Sequence, residues 1–309
     1  MRFLILGAGA IGGYFGAKLL KGGGDVTFLV RPGRAAQLAS DGLVVKARDG
    51  EIRTRARTLQ AGQIEGHYDV VLLTCKAYDL DGAIDAIAPA VGPGTVVLPL
   101  LNGVRHIDIL AGRFTEPRIL GGLTVINPVM LPDGTIEQSP VSMTITAIGE
   151  LSGGPSIRCT KIQQALATGG IAVDVAEDIR AAMWQKLFGF ACNAAITTLT
   201  RSRAGVVAQT AAGSQFVNEV LDEATRIMEA EGYRPAEQTL GLIRGLFAQV
   251  GSNYAPSLFV DMAEGRPTEG EHTIGDLVRR AGERGISTPI LNAALCNLQA
   301  YEIGRMVRQ

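Results

Sequence analysis

The run Phe3-Leu4-Ile5-Leu6-Gly7-Ala8-Gly9-Ala10-Ile11-Gly12 decides the fold. An uninterrupted apolar stretch at the start reads as a buried strand, and the helical pattern from Ile11 to Lys21 follows without a linker. Between them stands G-x-G-x-x-G, a hexapeptide that is weak alone and strong when it joins a strand to a helix. Gly7 allows the tight turn, Gly9 lets a pyrophosphate approach the helix N-terminus, and Gly12 permits close packing of helix on strand. Gly7, Gly9, Ala10, Ile11 and Gly12 are therefore the expected contacts of a bound dinucleotide.

Outward from this turn, the next informative position is the end of the second strand, Val26 to Val30. An acid about 20 residues beyond the glycines would hold a ribose 2′-hydroxyl, but Arg31 stands there and Arg34 follows. A guanidinium suits a 2′-phosphate, so NADPH is the expected cofactor. Lys76 follows the strand ending at Cys75, and Leu101-Asn102-Gly103-Val104 follows the strand ending at Leu100. Both lie just past strand carboxyl ends, where open α/β sheets bind ligands, which adds Lys76 and Asn102 to the cofactor contacts.

Strand-like runs at Val70 to Thr74, Thr95 to Leu100 and Arg118 to Val125 alternate with helical segments, the pattern of a parallel sheet covered by helices. After the Pro132-Asp133-Gly134 turn, Ser142 to Ile148 alternates polar and apolar residues and predicts an antiparallel edge added to that sheet. Ile171 to Val175 is the last expected strand. Beyond it only helices are expected, near Ile179 to Leu199, Ala211 to Glu231, Ala236 to Ala248, Glu269 to Arg284 and Leu291 to Val307. The fold class is α/β: a Rossmann-type dinucleotide-binding domain over residues 1–177, then an all-α domain over 178–309 that carries substrate and catalysis. A cleft between two closely packed domains is the expected ligand site.

Composition narrows the partners. In 309 residues, 29 Lys and Arg against 30 Asp and Glu leave a formal net charge of −1, which offers no field for nucleic acid or an anionic membrane. The longest apolar stretch, Ala181 to Leu199, holds Gln185, Lys186 and Asn193 and reads as a buried helix rather than a membrane span. Cys75, Cys159, Cys192 and Cys296 form no C-x-x-C pair and are expected as reduced, mostly buried thiols, while the scattered His67, His106 and His272 predict no metal site. Met1 and Arg2 pass directly into the first strand, so no signal peptide is expected and the cytoplasm is the expected compartment.

Chemistry concentrates in the second half. Lys186 lies in Trp184-Gln185-Lys186-Leu187, on a helix apolar on nearly every side, so its ammonium must meet a cleft or a partner. Partial desolvation lowers a lysine pKa and makes it a better proton donor near neutrality. Asn193, seven residues on, returns to nearly the same helix face after about 700° of rotation. Ser257 and Asp261 are four apart on one helix face, and Glu269 follows the break at Pro267. Thr268 and Glu271 fit a capping box that places Glu269 at the first helical position.

Taken together, the G-A-G-A-I-G-G-Y-F-G, C-K-A-Y-D, L-N-G-V, W-Q-K-L and S-L-F-V-D segments with Glu269 resemble the 2-dehydropantoate 2-reductases, or ketopantoate reductases, over essentially the whole chain. The resemblance implies that Lys186 is the general acid and that Glu269 binds the hydroxyl of substrate or product. It places Lys76 and Asn102 by the nicotinamide and substrate, and Ser257 on the substrate carboxylate; Asn193 and Asp261 complete the expected substrate contacts. Many members carry asparagines four and eight residues after this lysine, where Phe190 and Ala194 stand here, with Asn193 able to offer an amide from nearly the same face. The expected reaction is NADPH-dependent reduction of a 2-oxo acid, with ketopantoate to pantoate in pantothenate biosynthesis as the default and another 2-oxo acid as the alternative. A silent NADP-binding regulatory protein has no need of a buried proton donor. The expectation leaves room for a homodimer.

Overall fold

The computed structural model describes residues 1–139 and 144–307, which fall into two compact units. Unit 1 comprises Met1–Leu101 and His106–Ala182, and unit 2 comprises Asn102–Arg105 and Met183–Gln309.

In unit 1, β1 (Arg2–Leu6) leads into α1 (Ala10–Lys21), β2 (Asp25–Leu29), α2 (Pro32–Asp41), the hairpin of β3 (Leu43–Ala47) and β4 (Gly50–Thr54), and β5 (Arg57–Leu59). Then come β6 (Val70–Leu73), α3 (Leu80–Ile87), β7 (Val96–Pro99), α4 (Arg105–Phe114) and β8 (Leu120–Val125). The unit continues through β9 (Pro128–Met130), β10 (Ile136–Gln138), β11 (Ile145–Glu150), α5 (Ile157–Thr168) and β12 (Asp174–Val175). The main sheet is parallel throughout, in the order β5-β2-β1-β6-β7. Strands β6 and β7 are buried on both faces, which is why they read as continuous apolar runs instead of alternating ones. Strand order reverses at β1, and the carboxyl ends of β1 and β6 flank the switch point of this open sheet.

Helix α1 lies against β1 and β2 because its inner face is nearly bare. A Cβ on Gly12 would overlap the Gly7 carbonyl and Thr74 Oγ1, and one on Gly16 would overlap the Phe28 ring. The antiparallel strand expected after Pro132-Asp133-Gly134 is β11, but it belongs elsewhere. It pairs with β8 from Ile145↔Val125 to Glu150↔Leu120 in a three-stranded sheet, β12-β11-β8, whose β8 lies beside β7 of the main sheet and is preceded by a Val97↔Ile119 bridge to it. Ser142 and Met143, also assigned to that strand from the sequence, lie outside the described residues. The turn itself joins β9 to β10 in a four-stranded sheet with β3 and β4. These strands are short and half exposed, so they carry little apolar signal.

Unit 2 is helical. It contains α6 (Ile179–Thr200), α7 (Ala204–Val207), α8 (Gly213–Ala230), α9 (Glu237–Ala248), α10 (Ser257–Ala263), α11 (Gly270–Glu283) and α12 (Pro289–Val307), and the division from unit 1 falls inside α6, after Ala182. Met183, Leu187, Phe188, Ala191, Ala195 and Ile196 of α6 are buried, each large side chain contributing about 1.5–3 kcal/mol. Glu223, buried in α8, accepts the Ile290 and Leu291 backbone N–H groups at 3.0 and 2.9 Å and so caps the start of α12. Arg280 stands over the Trp184 ring, bonds the fully buried Asp276 at 2.8 Å and reaches Glu231 at 2.9 Å, while Trp184 stacks on Tyr233. These contacts fix α6 on the side opposite Lys186.

Candidate active site

In unit 1 the glycine-rich turn is built as its spacing requires. Gly7 has φ +90°, a conformation that costs a residue with a Cβ, and its N–H is bonded to Leu29 O at 2.9 Å. Gly9 is the N-cap of α1 and brings no side chain to the first-turn N–H groups. No acidic residue lies in that turn, and the space where a Gly9 Cβ would stand is open. Uncapped donors at the positive end of a helix, with room in front, fit a pyrophosphate.

The two arginines after β2 have different surroundings. Arg31, the N-cap of α2, is exposed and its Nη2 meets Asp79 Oδ1 at 3.0 Å. Arg34 is half-buried and spends its guanidinium internally, with Nε donating to Ala8 O at 3.0 Å and Nη2 to Gly134 O at 3.2 Å. Arg31 thus stays at the surface, paired with Asp79, whereas Arg34 braces the glycine turn. Lys76 is half-buried at the start of the single turn Ala77–Asp79 that follows β6.

Unit 2 assembles the acid–base groups. Lys186 is half-buried. Burial lowers its pKa to about 8, opposed by the charge of Glu269. Asn102 Nδ2 donates to Glu269 Oε2 at 3.2 Å, so an amide from the tetrad Asn102–Arg105 and a carboxylate from the start of α11 meet within one unit. The adjacent Gly103 has φ +87°, and a Cβ there would stand 3.1 Å from His272 Cδ2 and from the His272 carbonyl. The tetrad can therefore lie on the first turn of α11 only with glycine at that position. His272 had no expected role; burial holds its imidazole below the usual range, against the charges of Glu269 and Asp276.

The capping box is not formed. Glu269 is the N-cap of α11 rather than its first helical residue, and its carbonyl accepts from Thr273 N and Oγ1. The Thr268 N–H is taken by Glu302, and Glu271 is bonded by Gln299, because α12 supplies partners that local spacing does not reveal. This leaves the Glu269 side chain for Asn102 and the Lys186 region.

Other expected contacts separate. Ser257, the first residue of α10, is exposed. Asp261 on the same helix is buried and bonded by Arg266 Nε at 2.8 Å. Asn193 is buried, and its Nδ2 donates to Tyr254 Oη at 3.1 Å. Tyr254 was not foreseen; nothing in its sequence surroundings marks it apart from its place three residues before Ser257. Among the described residues no cluster of His, Cys, Asp and Glu could hold a metal ion, and no helix is long and apolar enough to cross a membrane.

Comparison with known proteins places this arrangement in a family. Models described as "Ketopantoate reductase PanE/ApbA" and its C-terminal counterpart match residues 3–153 and 178–302. The chain is 33% identical to the uncharacterized oxidoreductase YkpB of Bacillus subtilis, over 98% of this chain and 99% of that one. It is 29% identical to a 2-dehydropantoate 2-reductase of Halobacterium salinarum, over 94% and 95% of the two chains. A solved ternary structure of D-mandelate dehydrogenase with NADH and anilino(oxo)acetate superposes with a TM-score of 0.88 over 99% of both chains at 20% identity, which shows the shared fold. The chain belongs to the ketopantoate reductase family of oxidoreductases.

Proposed function

We propose that this protein uses NADPH to reduce the ketone of a 2-oxo acid, with ketopantoate, the precursor of pantoate in pantothenate biosynthesis, as the first substrate to test. The observation that carries the reading is the grouping of Lys186, Glu269 and Asn102 in unit 2, an ammonium of lowered pKa that feels the charge of a carboxylate held by an amide. When bound, the nicotinamide supplies the hydride. Lys186 stabilises negative charge developing on the substrate oxygen and then donates the proton that completes the alcohol. Glu269, held by Asn102, accepts a hydrogen bond from the hydroxyl and keeps the ammonium charged until that step. In this reading Gly7, Gly9, Ala10, Ile11 and Gly12 hold the pyrophosphate, Lys76 and Asn102 are the proposed contacts of the nicotinamide end, and the exposed Arg31 supports the choice of NADPH over NADH.

A second reading, reduction of a different 2-oxo acid, is favoured by Phe190 and Ala194, which put apolar groups on the helix face following Lys186. Initial rates of NADPH and NADH oxidation, followed by absorbance with ketopantoate and with 2-oxo acids lacking its hydroxyl, separate the two. Turnover of ketopantoate alone supports the first reading, preference for other 2-oxo acids the second, and no turnover with any overturns both.

A further inference from the structure

Asp79 stands at the N-cap of α3 and does not cap it. An aspartate in that position ordinarily accepts from a first-turn N–H, and here its side chain bonds none of them. Its Oδ1 instead meets Arg31 Nη2 at 3.0 Å, a partner 48 residues away in sequence. Arg31 follows β2 and Asp79 follows β6, and in the main sheet those strands lie on either side of β1. Two strand spacings make about 10 Å, so the joined side chains reach across the carboxyl end of β1, where the glycine turn begins.

The pair sets two acceptors against one guanidinium. A 2′-phosphate brought to Arg31 must take the place of a carboxylate, and must do so beside the charge of that carboxylate. We infer that Asp79 is a specificity-determining residue: it holds Arg31 until a 2′-phosphate arrives and narrows the margin by which NADPH is preferred over NADH. This rests on the proposed binding of NADPH through Arg31. An exposed ion pair shifts an equilibrium by only about twofold to fivefold, whereas a phosphate brings more charge and a bidentate geometry, so the ligand displaces the carboxylate. The displaced carboxylate has another set of donors to turn to, the first-turn N–H groups of α3 that an N-cap side chain can reach. NADH, whose ribose carries a neutral hydroxyl there, has no charge with which to open the pair.

The test is a set of paired binding titrations of NADPH and NADH, with 2′,5′-ADP and 5′-AMP as fragments that differ in the 2′-phosphate alone. Asp79→Asn removes the charge and keeps a residue well suited to an N-cap, so the helix start is preserved. It should tighten NADPH and 2′,5′-ADP about threefold to tenfold and leave NADH and 5′-AMP within about twofold. In an Arg31→Ala background the gain should shrink to about twofold or less, since the carboxylate then has no guanidinium to hold. Asp85→Asn, an equal change of charge at an exposed position of the same helix, should leave all four ligands within about twofold. If Arg31→Ala costs NADPH selectively while Asp79→Asn leaves NADPH unchanged or weaker, the role of Asp79 is overturned and the cofactor reading stands. An equal gain in Asp85→Asn makes the effect one of overall charge and overturns that role too. If Arg31→Ala costs both cofactors alike, Arg31 is not at the 2′-phosphate, and the NADPH reading built on it is lost together with the role of Asp79.

Discussion

The glycine turn of unit 1 and the lysine site of unit 2 are built on opposite principles. The first works through what is absent: Gly7, Gly9 and Gly12 clear space and expose backbone donors, and no side chain there has a chemical task. The second is built from side chains of three stretches of chain, Asn102, Lys186 and Glu269. Added atoms should therefore break the first, and deleted atoms the second. A backbone cradle loses binding, while a side-chain site loses chemistry.

The largest separation should come from Lys186→Ala. It removes the proposed proton donor and should lower kcat about 10²- to 10⁴-fold, with NADPH affinity preserved in a direct titration. Near-normal turnover would show that the unit 2 groups do not work as described. Next, Arg31→Ala should weaken NADPH binding about tenfold to a hundredfold while sparing NADH, which a paired titration reads directly. Equal losses would take Arg31 out of the phosphate site.

Gly12→Ala sharpens the other side of the comparison. The added Cβ meets backbone at Gly7, which cannot swing away, so a loss of about 1–3 kcal/mol in stability or cofactor binding is expected, measured by melting and by NADPH titration. The same mutation should leave oxamate affinity unchanged in enzyme saturated with NADPH. The smallest effect is a titration. A lysine proposed as proton donor acts only when protonated, and the pKa of Lys186 is lowered to about 8, so kcat/KM should be level below that pH and fall about tenfold per unit above it. Lys186→Arg, which does not deprotonate in this range, should abolish that limb whatever activity remains.

Legibility follows the same line. The turn after β1 was readable because its logic is local: strand, glycines and helix are contiguous, and Gly7 and Gly12 meet only because they are five residues apart. Lys186 was readable from the apolar helix around it, and its lowered pKa agrees with that environment. The partners of Glu269 were not readable. Local spacing argued for a capping box, and α12 displaced it by bringing Glu302 and Gln299 to Thr268 and Glu271. Tyr254 and His272 escaped for the same reason, since each is informative only through a residue far away in sequence, Asn193 in one case and Gly103 in the other. The β9–β10 hairpin escaped because its strands are too short and exposed to show a period.

The tetrad Asn102–Arg105 has a bearing on inheritance. Its residues are encoded among those of unit 1, between β7 and the body of α4, but they belong to unit 2 and deliver the amide that holds Glu269. A recombination event that exchanged everything after residue 177 between two relatives would transfer Lys186 and Glu269 and leave their amide behind. The second half exchanged as a cassette therefore keeps the partner of Glu269 only when donor and recipient agree at Asn102 and Gly103. A chimera designed to graft a new substrate range onto this cofactor unit should move residues 102–105 together with the helices.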